Sequence, residues 1–175
     1  DGSIAQVKLD LQALKALSDE ATKRYGLAGA VQHGASTLPE DAFSNFPKFG
    51  ACEIHLATNF QNIVFDHPAL PARLKAEVRS WVLENCAGER KASDTEEQFL
   101  YKSRKKAIAP FKAAFWDLPA DPKEAVCRDL EARFAFLFEQ LNIGGTAGLV
   151  ARHVRAPVLR HGSLGAAVVA APADA

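Results

Sequence analysis

Between residues 9 and 25, after Leu9, the apolar positions Leu11, Leu14, Leu17 and Ala21 return every three or four residues, the spacing of one face of an α-helix. Gly26 stands where a residue in the left-handed conformation ends a helix, so a helix over Leu11–Tyr25 is predicted. The pattern then changes. Residues 27–32 form a short, mostly small and apolar run, and residues 52–57 form another. Each fits a strand buried on both faces, as parallel sheets require. Between them GASTLP leads to Pro39, Glu40 and Asp41, a proline and two acids suited to the first turn of a short helix expected to end before Pro47. The two strands are therefore expected to lie parallel, with His33 and Thr58 at the same end. Asn59 is placed to cap a short helix carrying Phe60, Ile63, Val64 and Phe65.

From Pro71 onward the apolar spacing is helical throughout. Leu74, Val78, Trp81 and Val82 share one stripe up to the AGERKASD linker. Thr95 begins a second helix through Phe99, Leu100, Ile108, Phe111 and Phe115, with a kink predicted at Pro110. Val126, Leu130, Phe134, Leu137 and Leu141 mark a third, and GTAGLVARHV a short last one. The aromatic positions among these, including Phe111, Phe115, Trp116, Phe134, Phe136 and Phe138, follow the helical repeat and read as core or subunit interface. No internal repeat occurs. The Ala-rich end, residues 156–175, carries little packing signal and is expected to be a flexible tail.

Composition narrows the classes of function. The chain has 175 residues, 48% of them hydrophobic, enough for one domain with a real core. Its 21 basic and 21 acidic residues balance, which removes the electrostatic case for a nucleic-acid or membrane-surface partner. No apolar run reaches the roughly 18 residues of a membrane span, and the start, DGSIAQVKLDLQ, has no basic segment followed by an apolar one. A cytoplasmic protein is expected. Cys52, Cys86 and Cys127 are too scattered for a disulfide framework or a CxxC site and read as buried thiols. Methionine is absent and the first residue is Asp, so the chain is expected to be a fragment of a longer protein.

The chemistry-bearing residues gather where the two strands end. GLAGAVQHGASTLPEDAF delivers His33 into a loop of small residues and hydroxyls, and ACEIHLATN ends in His55, Thr58 and Asn59. Gly34, Ala35, Ser36 and Thr37 offer successive backbone N–H groups and two hydroxyls, a nest for an anion or an ordinary turn. Thr58 is equally a good strand residue. His33 is either a metal ligand or an imidazole satisfied by a hydrogen bond. Lys102, Arg104, Lys105 and Lys106 gather near the start of the second helix and read as a solvated face or a basic contact.

Over residues 27–62 the string resembles class II, zinc-dependent, fructose-bisphosphate aldolases, in a divergent form. There one strand ends in His-Gly-Gly-Ser-Gly and the next in Asn-Ile-Asp-Thr-Asp; here the corresponding strings are His33-Gly34-Ala35-Ser36-Thr37 and His55-Leu56-Ala57-Thr58-Asn59. The resemblance implies an α/β fold, the C-terminal part of a TIM (β/α)8 barrel (its last two strands) with a mostly helical C-terminal extension. Residues 1–70 would then be the last β/α units and residues 71–155 the extension. Chemistry in such barrels lies on the loops after the strands. The resemblance further implies a lyase of carbohydrate metabolism and glycolysis that cleaves or forms a carbon–carbon bond in a ketose phosphate.

In that scheme His33 ligates Zn2+, and Gly34, Ser36 and Thr58 hold the substrate phosphate. His55 takes the place of an asparagine and is a weaker substrate contact. Ala57 replaces an aspartate and lacks its function. Arg104 is loosely similar to a Tyr-x-x-Arg element that reaches a neighbouring subunit's phosphate, consistent with a homo-oligomer. The remaining zinc ligands and the group that shuttles the aldol proton are expected upstream of Asp1, leaving this chain inactive alone. The alternative is a non-catalytic helical interaction module built from the helices after Pro71.

Overall fold

The computed structural model describes residues 9–155. Helix α1 spans Leu11–Tyr25. Asp10 caps its start by accepting from the Ala13 N–H at 2.9 Å, and Gly26 ends it at φ 65°. Strand β1 (Ala30–Gln32) and strand β2 (Ala51–Ile54) pair in parallel, Val31 opposite Glu53 and Gln32 opposite Ile54. The ladder continues one step further, with the His55 N–H donating to the Gln32 carbonyl at 2.9 Å. Two 3-10 turns, Ala35–Thr37 and Glu40–Ala42, and the short helix α2 (Asn45–Lys48) connect the strands; instead of one helix ending before Pro47, the acids open a 3-10 turn and α2 carries Pro47 in its first turn, where no intrahelical N–H bond is needed.

The remainder is helical: α3 (Thr58–Asp66), α4 (Ala72–Asn85), α5 (Glu96–Ser103), α6 (Lys112–Trp116) and α7 (Ala120–Gln140). This overturns the expected barrel portion. Among the described residues the sheet has two strands, and the fold is mostly helical rather than α/β. The two apolar runs do pair in parallel, but they are only three and four residues long. The long apolar stripes that follow pack helix against helix instead of covering further strands.

Other expectations shift locally. Thr95 does begin α5, as the N-cap of a capping box in which its side chain accepts from the Gln98 N–H. The single kinked helix expected after it is broken instead. α5 stops at Ser103, a 3-10 turn covers Arg104–Ile108, and α6 starts anew at Lys112. Pro110 explains the break, since it has no N–H to donate and its ring opposes the carbonyl four residues earlier. Pro122, by contrast, sits in the first turn of α7, where no intrahelical N–H bond is required.

Two buried clusters hold this part of the chain together. One gathers Leu14, Ala35, Leu38, Phe43, Phe46 and Leu137, uniting α1, the connection after β1 and the end of α7. The other gathers Phe65, Leu70, Leu74, Val78, Val82, Cys86, Phe99 and Ala107 from α3, α4, α5 and the turn after it; of the three thiols expected to be buried only Cys86 is, Cys52 and Cys127 being exposed. His67 ties α3 to α7: its Nδ1 accepts from the Ala69 N–H at 3.1 Å and its Nε2 lies 3.2 Å from Asp129.

Ser18 secures the strand pair from the helix side. Its side chain is 3% exposed; its hydroxyl donates to the Gly50 carbonyl at 2.6 Å and accepts from the Ala30 N–H at 3.0 Å. One hydroxyl on α1 thereby fixes the entry to β1 and the residue before β2. Gly50 has φ 81°, and a Cβ there would stand 3.0 Å from that of Ser18, so both backbone and space call for glycine.

Contacts divide the chain after Asn142. In the second unit, residues 143–155 are described and carry helix α8 (Ala147–His153), led by Thr146, whose hydroxyl donates to the Ile143 carbonyl at 2.7 Å. The tail expected over residues 156–175 lies outside the described residues. No helix among the described residues is long and apolar enough to cross a membrane.

Candidate functional site

Because β1 and β2 run in the same direction, the residues that follow them emerge at one end. His33, Gly34, Ser36, Glu53, His55 and Thr58 line a single open groove of about 690 Å³ there. Both histidines are exposed, and their rings meet at 4.3 Å between centroids, tilted by 37°. Glu53, two positions before His55 and so on the same side of the strand, bonds its carboxylate to the His55 Nε2. The sequence reading did not select Glu53. Its signal was there in the alternation of residues 53 and 55, a carboxylate and an imidazole on one strand face.

The loop after β1 turns at Gly34, whose φ of 72° is left-handed. It delivers Ser36 to the start of α3, where the Ser36 Oγ accepts from the Ala57 N–H at 3.2 Å. That bond occupies the oxygen's acceptor side only. The hydroxyl proton remains able to donate. Helix α3 begins at Thr58 after Ala57, and no side chain caps it. Its first-turn N–H groups therefore add partial positive charge beside Ser36 and Thr58.

Asn59 is not the N-cap expected of it. The helix starts two residues earlier than that, placing Asn59 inside the first turn, where its Oδ1 is buried without a hydrogen-bond partner.

Arg104 lies outside this groove's lining. It forks onto Asp66 with bonds of 2.5 and 2.8 Å, donates to Asn62 Oδ1 at 2.7 Å, and packs its guanidinium over Phe65 and Tyr101 at 5.2 and 5.1 Å. Bidentate pairing and aromatic stacking are what a guanidinium does best, and here both join α3 to α5. The Asn62 amide completes the network by donating to the Tyr101 hydroxyl at 3.1 Å.

Zinc sites need three or four ligands. Among the described residues no group of three His, Cys, Asp or Glu side chains is arranged to hold an ion. His33 and His55 are a partial donor set, and Glu53 is engaged with His55. The described residues alone do not close a metal site. What the groove does offer is hydrogen-bond donors for an anion on one side and two imidazoles on the other.

No protein-family model, curated protein or solved structure matches this chain.

Proposed function

We propose that this chain contributes the phosphate-holding part of a class II aldolase-like lyase site acting on a ketose phosphate. The observation that supports this reading is the convergence of Gly34, Ser36, Thr58, His33 and His55 on one groove at the shared end of two parallel strands. In this reading the phosphate oxygens accept hydrogen bonds from the Ser36 hydroxyl and from the first N–H groups of α3. Gly34 supplies the turn that brings the loop to them. The ketose then extends toward the imidazoles, where His55, held by Glu53, contacts a hydroxyl. His33 joins a divalent metal whose other ligands come from outside the described residues, so aldol cleavage is not expected of the chain alone.

The test is a titration of inorganic phosphate and dihydroxyacetone phosphate into the chain, read by backbone amide shifts. Both should move the signals of Gly34, Ser36 and Thr58. Ser36→Ala removes one hydrogen bond to a charged group, a loss of about 1.5–3 kcal/mol, so affinity should fall roughly ten- to a hundredfold. Unchanged affinity would reduce Ser36 to a partner for the Ala57 N–H. Metal-stimulated cleavage by the chain alone would refute the assignment of the missing ligands.

A second reading, a helical interaction module, draws support from α6 and α7, where Trp116, Phe134 and Phe138 are 71%, 46% and 48% exposed.

A further inference from the structure

A second cavity, of about 680 Å³, lies among α3, α6 and α7, within the ~300–1,000 Å³ span of small-molecule sites. Its walls are hydrocarbon, with Val64, Phe65, Phe115, Val126 and Leu130 among them. Phe60 and Phe134 stack against each other at 4.6 Å within the lining. Only two charged side chains line it, Lys112 and Lys123, and no acidic side chain does. Since the chain as a whole balances 21 basic against 21 acidic residues, this one-sided charge is a local property. Lys123 is held in place, its ammonium donating to the Trp116 carbonyl at 2.7 Å and lying 5.6 Å from the Trp116 ring. An ammonium has three donors, so capacity is left for an anion.

An apolar volume with cations alone among its charged groups matches an amphiphile whose head is negative.

We propose that this cavity binds a medium- to long-chain carboxylate, its acyl chain against α3 and α7 and its carboxylate on Lys112 and Lys123. Burial of each further methylene should raise affinity roughly fourfold.

The test uses the 175-residue chain carrying Trp81→Phe, which leaves Trp116 as the fluorescent reporter, with calorimetry on the unaltered chain in parallel. Dodecanoate, kept below its micelle concentration, should bind saturably and shift the Trp116 emission to the blue. It should bind on the order of a hundredfold tighter than octanoate and at least about tenfold tighter than dodecanol, which has the same chain and no charge. The double variant Lys112→Ala, Lys123→Ala should bind dodecanoate and dodecanol alike, and Phe134→Glu should bind neither. Equal affinity of the unaltered chain for dodecanoate and dodecanol would overturn the proposal, as would the absence of saturable binding. So would sedimentation showing that the chain self-associates through this face and that dodecanoate leaves the association unchanged, which would make the occupant a second copy.

Discussion

The two buried clusters are built on different principles. The cluster behind the groove joins Leu14, Phe43, Phe46 and Leu137, residues drawn from nearly the whole length of the first unit. The cluster around Val82 and Phe99 draws on residues 65–107 alone. The groove thus depends on contacts that close only when α1, the strand connection and α7 have come together. The α4–α5 cluster forms from neighbours in sequence, the kind of contact that closes with less loss of chain entropy. A groove supported by distant segments can be lost by local damage that leaves the rest helical.

The largest effect should come from truncating each cluster at its centre. Phe46 and Phe99 are 0% and 1% exposed, and replacing a buried phenylalanine by alanine costs about 3–5 kcal/mol. Urea denaturation followed by amide hydrogen exchange separates the two. Phe46→Ala should open the amides of β1 and β2 first, and Phe99→Ala those of α4 and α5. If both variants release all amides together, the two clusters are one cooperative unit and the contrast fails.

Ser18→Ala is a smaller and sharper cut. It removes the donor to the Gly50 carbonyl and leaves the Ala30 N–H without its partner, a loss of about 1–3 kcal/mol. The Ala30 amide should exchange markedly faster while the α4 amides keep their protection. Unchanged exchange at Ala30 would show that α1 does not hold the strands.

The smallest effect tests the local cluster through pH. The ammonium of Lys102, bonded to Asp94 at 2.6 Å, holds that carboxyl below its usual range, with a further bond from the Lys91 N–H. A carboxyl whose folded pKa lies below its unfolded value adds stability above the unfolded pKa of about 3.9 and loses it as pH falls through the folded one. Asp94→Asn should flatten the fall in melting temperature below about pH 4. An identical acid profile for both chains would remove Asp94 from the account.

What the sequence disclosed follows the same division. α1 with its Gly26 stop, the run around Val78 and the start at Thr95 were legible because periodicity and capping are local signals. The parallel strand pair was legible from two apolar runs ending in polar loops, and so was the meeting of His33, Ser36 and Thr58. The barrel was not there to be read. A strand pair has the same local pattern whether or not further strands flank it, and the pattern after Pro71 was helical all along. Nothing local marks Ser18, because its partners Ala30 and Gly50 lie 12 and 32 residues away. Arg104 looked like part of a basic patch, because Asp66 and Asn62 stand 38 and 42 residues before it.

Gly29 makes the strand pair behave as a lever. It sits just before β1 at φ 149°, and a methyl group added there would stand 2.5 Å from the Gly50 carbonyl oxygen and 3.2 Å from the Cys52 Cβ. The two strand segments touch at their base with no room for a side chain, and that point of contact serves as the fulcrum. His33 and His55 ride at the far ends of the two arms, only four residues beyond Gly29 in one case. Bulk inserted at the base is therefore expected to push the arms apart, and with them the two imidazoles at the opposite end of the sheet.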